Sequence, residues 1–349
     1  MRKSQLHKSI LIIRLSSIGD VVLASPIAEI LKRHNPNARI VWAVQPESEP
    51  LLQDNPHIDH VFVWNKDLWL DLYKRRRFRQ LWRELVKMRS ELKNEHFEVA
   101  FDLQGLFKSG FIAWLSGAKE RVGIGSREGS YWFMHKMISR NIANRDQLGS
   151  EYRYLINQMG YEDGEWNIDI ATTESTRQNA SNVLERALGQ KKDYVVIFPF
   201  ASNEQKEWRE GHWEQLILRI RSRYQLNAII LGRKHEGTKG QQLARKSGAI
   251  NLAGQIGLQE AADIIKHATL AVGVDNGLTH ISQSLNVPAI ALFGPTRPYV
   301  SAGNKPSKVI YLDRYCSPCG KKPSCGKKYE CMTEINPDLA LTEIKKLLS

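Results

Sequence analysis

Residues 9–20 read SILIIRLSSIGD, and this stretch decides the fold. The apolar run from Ile10 to Ile13 predicts a short buried strand over Ser9 to Leu15. Ser16 to Gly19 interrupt the run, and apolar residues then recur at helical spacing until Asn35-Pro36. A strand, a glycine turn and a helix in this order are typical of a parallel α/β sheet.

The same alternation continues along the chain and starts again after a polar stretch at residues 169–178. In the first half, the pattern predicts a charged amphipathic helix over Phe78 to Lys93 and strands over Arg39 to Val44, His60 to Val63 and Val99 to Asp102. In the second half it predicts strands over Tyr194 to Phe198, Ala228 to Leu231, Leu270 to Gly273 and Ala289 to Phe293. The helices expected there are Trp213 to Tyr224, Gly237 to Ser247, Leu258 to His267, Gly277 to Leu285 and Pro337 to Leu348.

Two domains are therefore expected, residues 1–170 and 171–349, each a Rossmann-like doubly wound α/β domain. Ligands of such sheets bind beyond the carboxyl ends of the strands, so we expect the two domains to face one interdomain cleft.

The composition is that of a globular protein, with 42% hydrophobic and 25% charged residues in 349. The formal net charge of +13 favours acidic partners, whether phosphorylated substrates, anionic membrane surfaces or nucleic acid. No apolar stretch reaches the roughly 20 residues of a membrane-spanning helix, and Arg14 interrupts the first apolar run, which argues against a signal peptide. A cytoplasmic protein is expected.

Asp20 is the first candidate for chemistry, since it follows a strand end and a glycine turn. A carboxylate there suits a general base, an effect worth about 10² to 10⁴ in rate. The alternative is a capping box, in which Ser17 and Asp20 only stabilise the start of the helix.

Three strand ends in the second half are candidates for binding a nucleotide. The turn Asp275-Asn276-Gly277-Leu278-Thr279-His280 opens a helix, whose first N–H groups suit a diphosphate, although an Asp-Asn-Gly helix cap is an equal alternative and His280 fits a packed core as well. Lys206, which follows Ser202, suits a leaving phosphate, and Glu236 suits a ribose. Solvated side chains are the ordinary alternative for both.

Two features of the first half are candidates for an acceptor site. The strand end Asp102-Leu103-Gln104-Gly105, with Lys108 beyond it, lies on the acceptor side of the expected cleft. Arg75, Arg76 and Arg77 precede Phe78 and Trp82 in a cationic amphipathic patch that suits a phosphorylated membrane surface. A solvated helix face is the alternative.

All four cysteines fall within sixteen residues, at Cys316, Cys319, Cys325 and Cys331. Four thiols this close are compatible with a closed, structural metal site, and reduced thiols or a redox-labile loop are the alternatives.

Together these motifs resemble the lipopolysaccharide heptosyltransferases, the ADP-heptose-dependent glycosyltransferase family nine, over nearly the whole chain. The resemblance is carried by five segments in order: Arg14 to Asp20, Asp102 to Gly105, Lys206-Glu207-Trp208 with His212-Trp213, Asp275 to His280, and Phe293-Gly294-Pro295-Thr296.

The resemblance implies the GT-B fold and an inverting reaction that needs no cofactor or metal. It makes Asp20 the catalytic base and implies that the second domain binds the donor, ADP-heptose. Lys206 and the Asp275 to Thr279 turn would hold the diphosphate, and Glu236 the ribose. The donor residues are Ser202, Lys206, Glu236, Asp275, Asn276, Gly277, Leu278, Thr279 and His280. The acceptor residues are Ser17, Gly19, Asp102, Gln104, Gly105, Lys108, Arg75, Arg76, Arg77 and Arg127.

The expected acceptor is the lipid A–Kdo inner core of lipopolysaccharide, used at the cytoplasmic face of the inner membrane. The cysteine cluster is similar to that of protein heptosyltransferases with an iron-binding finger, so hydroxyls of an autotransporter protein are the alternative acceptor, and Zn or Fe the expected structural metal. A nucleotide-sugar epimerase and a nucleic-acid-binding module are further alternatives, although no DNA- or RNA-binding motif occurs.

Overall fold

The computed structural model describes residues 7–126, 128–140, 149–168, 170–189, 193–298, 306–320 and 322–349. The chain divides into two compact units, with the change at Ala171–Thr172. Each unit contains one six-stranded sheet, and all strand pairs of the described residues are parallel. No helix of the described residues is long and apolar enough to cross a membrane.

The first sheet has the strand order β3-β2-β1-β4-β5-β6, the order of a dinucleotide-binding fold. Its strands are β1 (Ser9–Ile13), β2 (Arg39–Val44), β3 (His60–Val63), β4 (Val99–Asp102), β5 (Glu120–Ile124) and β6 (Lys136–Ile138). Its helices are α1 (Ile18–Ala24), α2 (Pro26–His34), α3 (Lys66–Lys74), α4 (Phe78–Asn94), α5 (Phe107–Leu115) and α6 (Ser150–Gln158).

The single helix predicted after the first strand is in fact two helices, α1 and α2. Pro26 begins the second one and has no N–H to continue the hydrogen-bond ladder of the first. The Ser25 hydroxyl donates to the Val22 carbonyl at 2.8 Å and satisfies one of the acceptors at the end of α1.

The second sheet has the order β12-β11-β10-β7-β8-β9 and therefore repeats the topology of the first. Its strands are β7 (Tyr194–Phe198), β8 (Asn227–Ile230), β9 (Ile250–Asn251), β10 (Leu270–Val274), β11 (Ala289–Phe293) and β12 (Ser307–Tyr311). Its helices are α7 (Glu174–Leu188), α8 (Glu210–Tyr224), α9 (Gly237–Ser247), α10 (Leu258–Lys266), α11 (Gly277–Ser284), α12 (Glu330–Thr333) and α13 (Pro337–Leu348).

Each unit has its own core between sheet and helices. Trp42 and Phe101 are fully buried on strands of the first sheet, and Phe198 on the second, where Trp213 packs from α8. The central strands β1, β4, β7, β10 and β11 are buried throughout, as expected for sheets covered on both faces. The predicted α/β class with two doubly wound parallel sheets is confirmed.

Candidate active site

In the first unit, the ends of β1 and β4 bring two sequence motifs together. Ile13 pairs with Asp102 in the parallel register, so the segment from Arg14 to Asp20 and the segment from Asp102 to Gly105 leave the sheet at the same edge. Gln104 joins them, because its side-chain oxygen accepts from the Leu15 N–H at 3.1 Å and its amide donates to the Ser16 hydroxyl at 3.3 Å.

Asp20 makes the contacts of a capping box and is also partly exposed, so its surroundings are compatible with both roles that the sequence left as alternatives. Its Oδ2 accepts from the Ser17 N–H at 3.2 Å and from the Ser17 hydroxyl at 2.9 Å, as in a capping box. The same oxygen lies 2.5 Å from Nη2 of Arg14, and the Asp20 side chain is 37% exposed. A carboxylate that is held by its neighbours and still partly exposed is able to meet a substrate hydroxyl.

Arg14 is the residue at this site whose role the sequence did not predict. It is buried, its Nη1 donates to the Leu103 carbonyl at 2.9 Å, and its guanidinium lies 5.8 Å from the centre of the Tyr152 ring. Burial alone would lower the pKa of Arg14, but the charge of Asp20 raises it above its ordinary value. Arg14 thus remains a cation that fixes Asp20. An arginine directly after a buried apolar strand was the available signal.

Asp102 is completely buried, which restricts what it can contribute to an acceptor site. Its Oδ1 accepts from the N–H groups of Gln104 at 2.9 Å and Gly105 at 3.1 Å. Burial raises the pKa of Asp102, while these bonds lower it. Gly105 has a φ of +68°, and an added Cβ would lie 2.1 Å from the Gly125 carbonyl oxygen. Asp102 and Gly105 therefore shape the turn, and any effect of Asp102 on a ligand passes through the backbone.

The other predicted acceptor residues are distributed unevenly. Gly19 is buried, Ser17 is exposed, and Lys108 is half-buried at the start of α5, where burial and then Lys66 lower its pKa. Arg75, Arg76 and Arg77 are exposed between α3 and α4, and no hydrogen bond or ion pair within the described ranges joins them to the Asp20 turn. Arg127 lies outside the described residues.

In the second unit, Asp275 is the centre of a charged cluster at the end of β10. Its carboxylate lies 2.6 Å from Nζ of Lys206 and 3.5 Å from Nε2 of His280, and it accepts from the Thr296 hydroxyl. Burial alone would raise the pKa of Asp275, but the hydrogen bond from His280 and the charge of Lys206 lower it below its ordinary value. Because β10 lies between β7 and β11, side chains that follow three neighbouring strands meet here.

The cluster lies at the first turn of α11, whose initial N–H groups lack acceptors within the helix. Asn276 caps this helix, accepting from the Thr279 N–H at 2.9 Å and donating to the Phe200 carbonyl at 2.8 Å. Thr279 is 1% exposed and its hydroxyl donates to the Val274 carbonyl, so it holds the turn together from within. An added Cβ on Gly273 would lie 2.2 Å from the Thr279 hydroxyl oxygen, which explains the glycine.

Glu236 lies after the neighbouring strand β8 and is 7% exposed. One of its carboxylate oxygens accepts from the Arg233 N–H at 2.6 Å, and the other accepts from the Arg233 guanidinium at 2.7 Å. A ligand hydroxyl at Glu236, as predicted from the sequence, would therefore compete with the Arg233 side chain. Ser202, after β7, is exposed.

The cysteine segment, residues 313–331, packs against the loops of this charged cluster. The Gly320 N–H donates to the Pro295 carbonyl at 2.7 Å, and the Ser317 hydroxyl donates to the Gly294 carbonyl. The Gln205 amide, from the loop that carries Lys206, donates to the Gly320 carbonyl. The segment therefore supports the loops of both Lys206 and Thr296.

The four cysteines are all free thiols and lie in one segment of the chain. Cys325 and Cys331 are buried, whereas Cys316 and Cys319 are half-exposed. Burial and the nearby Cys316, Cys319 and Cys325 thiols together raise the pKa of the Cys331 thiol to about 11. Within the described ranges, no three His, Cys, Asp or Glu side chains are arranged to hold a metal ion. Metal binding by this segment stays a prediction.

The hydrogen bond from Gln205 to Gly320 allows a test of whether the cysteine segment holds the loop of Lys206 in place. We expect Gln205→Leu to leave the Gly320 carbonyl without its partner and to cost about 1–3 kcal/mol of unfolding free energy. Because the same loop carries Lys206, the change should also weaken the nucleotide site predicted from the sequence and raise the Kd for ADP a few-fold. Thermal unfolding and calorimetric ADP titration measure the two effects, with the exposed Gln178→Leu as control. Equal behaviour of both variants would contradict the role of Gln205.

Comparisons with known proteins agree with the arrangement of motifs. The profile of glycosyltransferase family 9 (heptosyltransferase) matches residues 85–330. Lipopolysaccharide heptosyltransferase 1 of Pseudomonas aeruginosa is 24% identical, over 97% of this chain and 98% of its own. The structure of a family 9 glycosyltransferase from Veillonella parvula has a TM-score of 0.79 at 19% identity, over 98% of this chain and 97% of its own. The structure of E. coli heptosyltransferase WaaC with ADP has a TM-score of 0.72 at 21% identity, over 97% of this chain and 99% of its own.

The matched range extends from within α4 to the start of α12 and therefore includes β4, β5 and β6 of the first sheet and the whole second sheet. It contains Asp102, Lys206, Glu236 and Asp275, while Asp20 precedes it. The resemblance identified from the motifs is thus confirmed: the chain belongs to glycosyltransferase family 9, the heptosyltransferases, and is a glycosyltransferase.

Proposed function

We propose that this protein transfers heptose from ADP-heptose to the inner core of lipopolysaccharide, onto Kdo or a heptose already attached. The observation that carries the proposal is the Lys206–Asp275–His280 cluster at the start of α11, because it combines a cation with a helix N-terminus. The first unit supplies Asp20 and the acceptor side, and the second unit binds the nucleotide sugar.

The donor half of the mechanism concerns the charge on the leaving group. As the bond between heptose C1 and the β-phosphate oxygen breaks, ADP takes the electron pair. Lys206 and the first N–H groups of α11 stabilise this charge in a site that exists before the reaction, where such stabilisation is most effective. Asp275 contacts Lys206 and His280 rather than phosphate, and its role is to position these two side chains.

On the acceptor side, the attacking hydroxyl has to lose its proton. Asp20 takes the proton of the acceptor hydroxyl. The oxygen of that hydroxyl attacks C1 from the face opposite ADP, so that the anomeric configuration inverts. Arg14 and Ser17 hold the carboxylate in place. Ser17, Gly19, Gln104 and Gly105 form the acceptor turn, with Lys108 beyond it, and no cofactor takes part.

The acceptor is proposed to be lipid A–Kdo or a heptosylated core, reached by a peripheral protein at the cytoplasmic face of the inner membrane. Arg75, Arg76 and Arg77 are exposed cations suited to its phosphates and carboxylates. Nucleic acid is not proposed as a partner.

The decisive experiment supplies ADP-heptose with Kdo–lipid A in one reaction and a heptosylated core in another, and follows ADP release together with acceptor mass. We expect a heptose increment on one of the two. An increment only on a co-expressed autotransporter protein would replace the proposed acceptor. Turnover of the donor without any acceptor would indicate an epimerase.

A further inference from the structure

The exposed large hydrophobic side chains are concentrated in one unit. Of the thirteen among the described residues, eleven lie in the first unit, and only Leu218 and Tyr315 lie in the second. Single exposed apolar residues are normal on any protein surface, but a contiguous group marks a binding surface.

Six aromatic side chains form such a group, which we call the aromatic platform: Phe107, Phe111, Trp114, Tyr131, Trp132 and Phe133. Phe133 contacts the three rings of α5, with ring centres 5.2 Å from Phe107, 6.1 Å from Phe111 and 6.4 Å from Trp114. These contacts fix the turn of residues 130–133 on α5.

The outermost rings of the platform project into solvent. Trp132 is 78% exposed and Tyr131 is 54% exposed, while Phe107 and Trp114 are also exposed. The turn approaches α5 closely, since a Cβ on Gly110 would lie 2.9 Å from the Phe133 ring. The packing of Phe133 on α5 therefore fixes the turn that exposes Tyr131 and Trp132.

A cationic surface adjoins the platform. Residues 73–89 contain eight arginines and lysines and one acid, Glu84, and they also present the exposed rings of Tyr73, Phe78 and Trp82. Arg89 joins the two surfaces, because its guanidinium from α4 lies 5.6 Å from the centre of the Trp114 ring on α5.

This combination fits the boundary between the headgroups and acyl chains of an anionic bilayer. Tryptophan and tyrosine prefer that boundary, because their rings are apolar and their N–H or O–H remains hydrated. Arginine and lysine beside them are attracted to anionic headgroups. Single-stranded nucleic acid also binds aromatic and basic residues, but it needs open ring faces. Here the Arg89 guanidinium lies over one face of the Trp114 ring, and Phe107 and Phe111 stack on each other.

We propose that the aromatic platform and the cationic surface of residues 73–89 together bind the surface of an anionic phospholipid bilayer, with Tyr131 and Trp132 entering the headgroup boundary. The inference deepens the proposed function, since it brings the enzyme to a lipid-linked acceptor. Binding to vesicles, however, requires neither donor nor acceptor.

The test is sedimentation of the full chain with vesicles of phosphatidylcholine containing about one third phosphatidylglycerol, compared with phosphatidylcholine alone. We expect the double variant Tyr131→Ser/Trp132→Ser to reduce the partition coefficient on anionic vesicles at least about tenfold. Arg79→Gln/Arg83→Gln should reduce it several-fold and weaken its salt dependence. Leu218→Ser, a change at an exposed apolar residue of the second unit, should have no effect.

Vesicle binding by Tyr131→Ser/Trp132→Ser equal to that of the wild type would overturn the proposal, as would equal loss in Leu218→Ser. Tight binding of a single-stranded oligonucleotide without vesicle binding would overturn it in favour of a nucleic-acid surface. Heptose transfer to a deacylated core acceptor separates the two proposals: wild type and double variant should react equally. Absence of transfer by both proteins would count against the proposed function and leave the vesicle result unaffected.

Discussion

Replacing Asp20 by Asn is expected to lower turnover about 100-fold or more while ADP affinity stays at the wild-type value. The amide keeps an oxygen that accepts from Ser17, so the helix start is preserved, but it cannot take a proton from the acceptor. The proposed ADP site lies in the other unit, so ADP binding should not respond. Steady-state ADP release with a saturating acceptor and calorimetric titration of ADP measure the two quantities.

The control must distinguish a lost base from a lost ion pair. Glu174→Gln removes a carboxylate that lies 2.8 Å from Arg177 and is 83% exposed, and it should leave turnover unchanged. Arg14 loses its partner in Asp20→Asn, so the unfolding temperature should fall, and activity is measured well below it. Wild-type turnover in folded Asp20→Asn would reduce Asp20 to a helix cap.

The second large effect is expected for Lys206→Ala, which should raise the Kd for ADP about 10- to 100-fold, the value of a charged hydrogen bond. The KM for the acceptor should remain unchanged. The variant also leaves the buried Asp275 carboxylate without its nearest cation. The negative charge of this carboxylate then repels an incoming diphosphate. Calorimetric titration of ADP checks the first effect, and acceptor kinetics at saturating donor check the second.

A double variant separates the two contributions. Lys206→Ala/Asp275→Asn removes the opposing charge, and we expect it to bind ADP more tightly than Lys206→Ala alone. Lys239→Ala removes an exposed lysine of the same unit that lies 3.5 Å from Glu207, and it should have no effect. Unchanged ADP affinity in Lys206→Ala would remove this lysine from the donor site, whereas equal losses for donor and acceptor would indicate misfolding.

Most strands that the sequence predicted correctly are buried, although β3, predicted over the same residues His60 to Val63, is partly exposed. β1, β2, β4, β7, β10 and β11 are largely continuous apolar runs, because helices cover both faces of the sheet. β5, β6, β9 and β12 were missed. Their residues are partly exposed and include charged side chains such as Glu120 and Lys136, so no apolar run marks them.

The sequence predicted the motifs of the candidate site, but it did not predict all of the contacts between them. Thr296 was recognised in a family motif, yet its hydrogen bond to Asp275 depends on the pairing of β10 with β11. Gln104 and Leu15 are 89 positions apart in sequence and meet because β1 and β4 are neighbours in the sheet.

The sequence by itself determined the α/β class, the motifs at the strand ends and the family. Local apolar periodicity and short-range motifs carry this information. Only the tertiary structure decided which of two similar strand-end carboxylates is exposed to solvent. Asp20 and Asp102 each lie beside a glycine turn, but Asp20 is 37% exposed and fixed by Arg14, whereas Asp102 is completely enclosed. Burial depends on neighbours contributed by distant parts of the chain, and local sequence does not contain that information.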